Sequence, residues 1–314
     1  MKNRTLFLII ESIKNPKKFF CVLYKKLFSI PSLEFLRKIK SKKIKSLYLN
    51  FWFFFSKKNN NFKKICFNAS KINKKRVFNF NKNKLPEEEI IDSLSSNGIV
   101  VIEDILVKKN LQKLISLIDE LKQTPYDLGK NSYLQKAKKK ISEDQKRERL
   151  TCDFNDINFE ELDYLCERIS YLFYGKGLIP TKSLYIDKCL DIPESKIRGD
   201  NYLHIDRFLP NLKILFSPFE VTKNNAPFIY SLNSHKINGN YKKFILEAKN
   251  FDETDVGADN YIKNKSTITL KENSAIIAVT NGFHGRTSFK KKGERVILFH
   301  QFNRSFDKLN YLNF

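Results

Sequence analysis

The chain has four histidines, and one of them stands two residues before an aspartate, in "NYLHIDRFLP" (201–210). Residues i and i+2 of an extended strand project from the same face. His204 and Asp206 are therefore spaced to reach one metal ion while Ile205 points away. Taken alone the pair is a weak signal, since roughly one chain in five with this many His and Asp would carry it by chance. Its meaning depends on a third donor, and the other three histidines are the candidates.

His300 lies inside the apolar run "RVILFHQF" and reads as a buried structural residue. His235, in "NSHK", follows a strand and reads as a turn or capping residue, with substrate contact as the alternative. His284, in "VTNGFHGRTSF", has Gly282 and Gly285 on either side, and glycine lets backbone come close to a ligand or metal. Two histidines and one carboxylate make the facial triad of non-haem Fe(II) oxygenases, with three positions left open. The same donors hold zinc in hydrolytic sites, so the triad leaves the reaction open.

Arg295 lies eleven residues beyond His284, across "TSFKKKGE". The strands carrying His284 and Arg295 are expected to form a hairpin and turn both side chains toward one cavity. A buried guanidinium needs a carboxylate, and its fork takes one in bidentate fashion. No acid near it in sequence is an obvious mate, because Glu294 should face the other way. The distal carboxylate of 2-oxoglutarate is the expected partner, and a surface salt bridge is the alternative. A hydrolytic zinc enzyme would leave Arg295 without a role.

Short apolar runs separated by turn residues must position these groups. "SLYIDKCL", "LKILFSPFEV", "APFIYSL", "STITL", "SAIIAV" and "RVILFHQF" read as strands of a sandwich or barrel. The helix "NYKKFILEAKNF" (240–251) interrupts them. Helices come first in the chain. "LPEEEIIDSLSSNG" has Pro86 just inside a helix start and Asn97-Gly98 as its stop, followed by the strand "IVVIED". Residues 108–123 have apolar positions at helical spacing. Residues 158–175 read as a helix with Asn158 as its cap and Gly175 as its terminator. The charged stretch 132–149 reads as a solvated helix or loop.

A chain of 314 residues suffices for one large domain or two modest ones. The net charge of +24 is unevenly spread. Residues 1–84 hold 23 Lys/Arg against two acids, and residues 85–314 hold 35 against 32. Residues 1–84 thus form a basic, aromatic-rich extension, expected to be mostly helical. One reading packs it on the main domain with its lysines in water. Another lays its apolar face on an anionic membrane surface, with lysines snorkelling to the headgroups. Nucleic acid is not expected as a partner, since no recognised motif accompanies the charge. The five cysteines (Cys21, Cys66, Cys152, Cys166, Cys189) form no CxxC pair, which argues for a reducing compartment and against a disulfide scaffold or structural zinc. The N-terminal apolar run is too short for a signal peptide, and "YLNFWFFF" (48–55) is far too short to span a bilayer. The expected location is cytoplasmic, with peripheral attachment to the inner membrane surface as an option.

Three separated segments resemble the phytanoyl-CoA dioxygenase family of Fe(II)/2-oxoglutarate oxygenases. "HID" stands where that family has its HxD. "LKILFSPFEVTKNNAPFIYSLNSHK" (212–236) is similar to its strand, turn and "GSHK" segment. "NGFHGRTSFKKKGERVILFHQF" (281–302) is similar to the stretch holding its distal histidine and later arginine. The resemblance covers 85–302 and leaves 1–84 aside. It implies an α+β fold with a double-stranded β-helix (jelly-roll) core and flanking helices. It implies Fe(II) on His204, Asp206 and His284, and 2-oxoglutarate on Arg295. O2 would be the second co-substrate, and the product a hydroxylated small-molecule or lipid-like substrate. The retained Asp206 favours hydroxylation over halogenation. Ala226 and Asn233 depart from family glycines, and Arg286 stands where a small polar residue is usual. Arg286 would mean an altered co-substrate pocket or an anionic substrate. The competing reading is a non-catalytic membrane-surface or scaffold protein on a retained oxygenase fold.

Overall fold

The protein is described by a computed structural model covering residues 33–72, 76–123, 138–142, 147–191 and 202–302. Its strands are β1 (Val77–Asn79), β2 (Ile99–Glu103), β3 (Lys138–Ser142), β4 (Arg147–Asp153), β5 (Thr181–Cys189), β6 (Leu212–Ser217), β7 (Phe228–Ser231), β8 (Lys265–Ile268), β9 (Ser274–Val279), β10 (His284–Arg286) and β11 (Glu294–Gln301). Eight of them form a large sheet in the order β1-β2-β9-β6-β11-β5-β4-β3, and three form a small one in the order β10-β7-β8. His204 adds a single bridge to the outer edge of β10.

Following the chain shows how the two sheets are made. It passes from β5 in the large sheet to His204 beside the small one, then to β6, back to β7 and β8, to β9, to β10, and finally to β11. All pairings are antiparallel except β1 with β2. Repeated crossing between two antiparallel sheets is the jelly-roll, or double-stranded β-helix, arrangement. One expectation is corrected. His284 and Arg295 do not sit on a hairpin, because β10 pairs with β7 while β11 pairs with β5 and β6. The turn between them carries the chain from one sheet to the other.

Strand side chains alternate between two apolar environments. Ile99 and Val101 of β2, Leu215 of β6, Ile276 of β9 and Ile297 of β11 meet Phe228, Tyr230 and Ile268 of the small sheet. Their neighbours Val100, Ile102, Ile214, Phe216 and Ile277 face the helical side. Central strands buried on both faces read as continuous apolar runs, as "SAIIAV" does. Full burial of each such side chain contributes about 1.5–3 kcal/mol.

The helices covering that second face are α1 (Leu33–Lys38), α2 (Lys42–Lys58), α3 (Glu87–Asn97), α4 (Lys108–Gln123), α5 (Glu160–Tyr174) and α6 (Gly239–Glu247). α3 follows Pro86, carries Glu87, Glu88 and Glu89 in its first turn, and ends on Gly98 at φ 79°. Acids suit the positive end of the helix dipole, and glycine takes the left-handed stop without strain. α4 occupies the range its periodicity predicts and buries Leu114, Ile118 and Leu121. α5 begins one residue later than expected. Its N-cap is Phe159, and Asn158 instead accepts from Lys182 Nζ at 2.7 Å. α6 stops at Glu247 rather than running to 251. The stretch 132–149 is neither helix nor loop where described, because β3 and β4 pair there. Leu150 and Cys152 alternate inward along β4, a pattern masked by the charges around it.

α2 is built into this core. Ser41 caps it, and Tyr48, Leu49, Trp52 and Phe53 turn inward. Tyr48 and Phe53 contact the ring of Phe208, and Phe53 also meets Tyr241. Past α2, Phe62 packs on Phe173 and Tyr174 of α5. These residues belong to one cluster with the helical face of the large sheet. Residues 1–32 and Cys21 lie outside the described residues. Among those described, no helix is long and apolar enough to cross a membrane.

Candidate metal centre

β9 leaves the large sheet into a tight turn, and that turn delivers His284 at the head of β10. The turn is tied on several sides. Thr280 N–H donates to the Asn211 carbonyl (2.7 Å), and Asn211 Nδ2 donates to Thr280 Oγ1 (2.7 Å). Asn281 Nδ2 donates to the His235 carbonyl (2.7 Å), and Phe283 N–H donates to Ser234 Oγ (2.8 Å). The Tyr230 hydroxyl, which donates to the Val279 carbonyl at 2.7 Å, fills the space a side chain at Gly282 would need. A Cβ there would clash with that oxygen. Gly282 thus makes room for Tyr230 rather than for a ligand, which corrects the expectation at that glycine. Gly285 does line the cavity beside His284.

His204 and His284 face each other as an isolated antiparallel bridge. The N–H of each donates to the carbonyl of the other at 2.9 Å. Their ring centroids are 4.8 Å apart. Asp206 lies just past this bridge, its N–H donating to the Thr280 carbonyl at 3.0 Å. Nδ1 of His204 sits 2.9 Å from the Tyr202 carbonyl, and Nδ1 of His284 sits 2.9 Å from the Gly282 carbonyl. A carbonyl only accepts, so in both rings Nδ1 carries a proton and Nε2 is the nitrogen turned toward Asp206. His284 Nε2 is 3.3 Å from Asp206 Oδ2, and His204 Nε2 is 3.9 Å from Asp206 Oδ1. One ligand atom from each of the three residues falls within 4.8 Å of the others.

The electrostatics suit a cation. Burial lowers the pKa of His204, and His284 lowers it further, which keeps the ring neutral and able to ligate. Burial works against the Asp206 carboxylate, but Lys213 and His284 together hold its pKa well below the ordinary value. Lys213 Nζ, from β6, stands 2.8 Å from Asp206 Oδ2. This is an ion contact, and among the described residues Oδ2 has no hydrogen-bond partner. Two imidazole Nε2 atoms and an ionised carboxylate brought this close fit a divalent metal of the facial-triad type.

Arg295, the second residue of β11, lines the same cavity, of about 200 Å³, which lies between the two sheets. Its guanidinium is buried. The expectation that the protein offers it no acid is corrected. Asp187, its register partner on β5, accepts from Arg295 Nη2 at 2.9 Å. Arg295 Nη1 donates to the Ala226 carbonyl at 2.8 Å, and Nε has no partner among the described residues. Asp187 also accepts from Arg149 Nε at 2.6 Å and lies 3.7 Å from Arg147 Nη1. Burial pushes the Asp187 pKa up, but Arg295, Arg149 and Arg147 more than reverse this and bring it to about 2. Three guanidinium groups therefore meet at one described carboxylate on the cavity wall.

The remaining residues singled out from sequence separate clearly. Arg286 projects into the cavity two residues after His284 and is buried. His300 is fully buried, and burial pushes its pKa down to about 3. His235 is fully buried in the turn after β7, its Nε2 3.1 Å from the Ile65 carbonyl. Ala226 and Asn233 hold φ of 55° and 67°, so these turns keep a left-handed backbone without glycine. Sequence reading missed Lys213, Asp187 and Arg149. Lys213 and Asp187 are charged residues inside apolar strands, and that mismatch was the available signal.

No family model and no curated protein matches the chain. Solved structures with a similar fold include AviO1 from Streptomyces viridochromogenes Tue57 (TM-score 0.45, 12% identity, 69% of this chain and 96% of that one). HygX from Streptomyces hygroscopicus with nickel and 2-oxoglutarate bound is another (TM-score 0.43, 13% identity, 71% and 88%). EctD from S. alaskensis with bound Fe is a third (TM-score 0.41, 15% identity, 66% and 73%). Likeness this remote leaves activity to be argued from the chain's own side chains.

Proposed function

We propose that the chain is an Fe(II)- and 2-oxoglutarate-dependent oxygenase of the phytanoyl-CoA dioxygenase type. It hydroxylates a C–H bond of a small-molecule or lipid-like substrate and releases succinate and CO2. The observation that carries this reading is the shared cavity: His204, Asp206 and His284 converge at one end, and the buried guanidinium of Arg295 stands in its wall. In this reading the first three hold Fe(II), which supplies oxidising power by coupling O2 reduction to decarboxylation of 2-oxoglutarate.

The chain's own residues do the positioning. Tyr202 and Gly282 carbonyls fix the imidazole tautomers and aim both Nε2 atoms at one point. Lys213 keeps Asp206 ionised. Arg295, fixed at Nη1 and Nη2, keeps Nε for the distal carboxylate of 2-oxoglutarate, and Arg149 adds positive charge on the same wall. Buried Phe228, stacked 5.7 Å from the His284 ring, keeps water from that side. A hydrolytic zinc site would use the same three donors but has no use for a guanidinium so placed.

Succinate formation from 2-oxoglutarate, with iron and a metabolite panel, is the test. Turnover that His204→Ala abolishes supports the assignment. Tight metal binding with no 2-oxoglutarate consumption, with or without any panel member, overturns it in favour of a non-catalytic role.

A further inference from the structure

α2 is apolar on two opposite sides. Its inner side is the Tyr48, Leu49, Trp52, Phe53 face already described. On its outer side Ile44, Leu47 and Phe54 are 59%, 62% and 59% exposed. Positions 44, 47, 51 and 54 follow the three- and four-residue steps of one helical stripe, with half-buried Phe51 continuing it. A surface helix ordinarily turns charged and polar residues outward, and a contiguous exposed apolar stripe marks an interaction surface.

Charge surrounds the stripe. Residues 35–86 contain sixteen Lys/Arg and no Asp or Glu. Lys42, Lys43, Lys57 and Lys58 of α2 are exposed. Lys58 Nζ lies 5.1 Å and 5.2 Å from the ring centroids of Phe54 and Phe55, so an ammonium sits directly against the apolar stripe. That pairing selects the occupant. A second copy of this helix would set lysines against lysines. Residues 1–32, with seven Lys/Arg and one acid, would do the same. A nucleic acid answers the charge but leaves isoleucine and leucine without a partner. An anionic bilayer surface answers both features, with apolar side chains below the headgroups and lysines on the phosphates.

We propose that the outer face of α2 seats the protein on an anionic lipid surface, with Ile44, Leu47 and Phe54 inserted at headgroup depth and Lys42, Lys43, Lys57 and Lys58 on lipid phosphates. The contact is interfacial, since α2 is too short and too charged to span. It stands on α2 alone and holds whether or not the oxygenase assignment does.

The test is co-sedimentation of the full chain with phosphatidylcholine vesicles, with and without phosphatidylglycerol. The parent protein should partition onto the anionic vesicles, weaken with added salt, and bind phosphatidylcholine alone poorly. An Ile44→Ser/Leu47→Ser/Phe54→Ser triple variant and a Lys42→Gln/Lys43→Gln/Lys57→Gln/Lys58→Gln variant should each lower the partition coefficient by roughly tenfold or more at an unchanged urea midpoint. Should the triple variant unfold, single variants Ile44→Ser and Leu47→Ser take its place, with a loss of roughly threefold each. Several results would overturn the proposal. One is absence of vesicle binding, and another is equal binding to neutral vesicles. A third is a stripe variant that binds like the parent, which would assign the binding to residues 1–32. A parent dimer that the stripe variant dissociates would assign the face to a second copy. RNA binding lost in both variants, without vesicle binding, would assign it to nucleic acid.

Discussion

Replacing Asp187 by Asn keeps the shape of the side chain and removes the charge at which three arginines meet. The carboxylate is fully buried, 2.9 Å from Arg295, 2.6 Å from Arg149 and 3.7 Å from Arg147. Its pKa of about 2 in the folded protein lies below the roughly 3.9 of an exposed aspartate. The folded state therefore gives up this proton more readily than the unfolded state. The difference contributes about 2–3 kcal/mol, present in full above about pH 5 and lost as the pH falls toward 2. Asp187→Asn forfeits that contribution and leaves buried guanidinium groups facing a neutral amide. The cost near pH 7 should thus reach about 3–5 kcal/mol. Urea unfolding at a series of pH values measures it. The expected result is a large loss at neutral pH and a gap from the parent that narrows below about pH 5. A variant within about 1 kcal/mol of the parent, or a gap that stays constant with pH, would refute the account of this cluster.

Three further outcomes follow from named contacts. Lys213→Met removes a cation 2.8 Å from Asp206, so nickel binding measured by calorimetry should fail at a higher pH than in the parent. Gly282→Ala forces a methyl group against the Tyr230 hydroxyl and should destabilise by about 1–3 kcal/mol in urea, with Tyr230→Phe recovering part of the loss. Trp52→Ala, at a site 1% exposed, should cost about 3–5 kcal/mol in the single unfolding transition, because α2 shares the main core. A local melting of α2 that spares the rest would contradict that packing.

The three residues of the candidate metal site were legible in the sequence because their signals are local. A two-residue step places His204 and Asp206 together, and a strand running into a glycine-bearing turn marks His284. What sequence could not supply was pairing at long range. Arg295 and Asp187 are 108 residues apart and become register partners only when β11 lies beside β5. The hairpin expected for His284 and Arg295 failed for a related reason. Closeness in sequence suggests one sheet, whereas a jelly-roll sends successive strands to opposite sheets, and the two residues still meet because the cavity lies between them. In β4 the arginines and acids around Leu150 and Cys152 hid an alternating strand under an apparently solvated run. Ala226 and Asn233 show the reverse case. The positions read as glycine replacements keep the left-handed backbone that glycine would favour, and Ala226 uses its carbonyl to hold Arg295.

The central claim is that one cavity holds both a metal on His204, Asp206 and His284 and a dicarboxylate on Arg295. Anaerobic addition of Fe(II) and then 2-oxoglutarate tests it directly, since chelation of the metal by the keto acid produces a visible charge-transfer band. The band should develop with the parent protein, be absent in His204→Ala, and require at least tenfold more 2-oxoglutarate in Arg295→Gln. A parent that binds Fe(II) but shows no band at any 2-oxoglutarate concentration, or an Arg295→Gln variant with parental affinity, would contradict the claim.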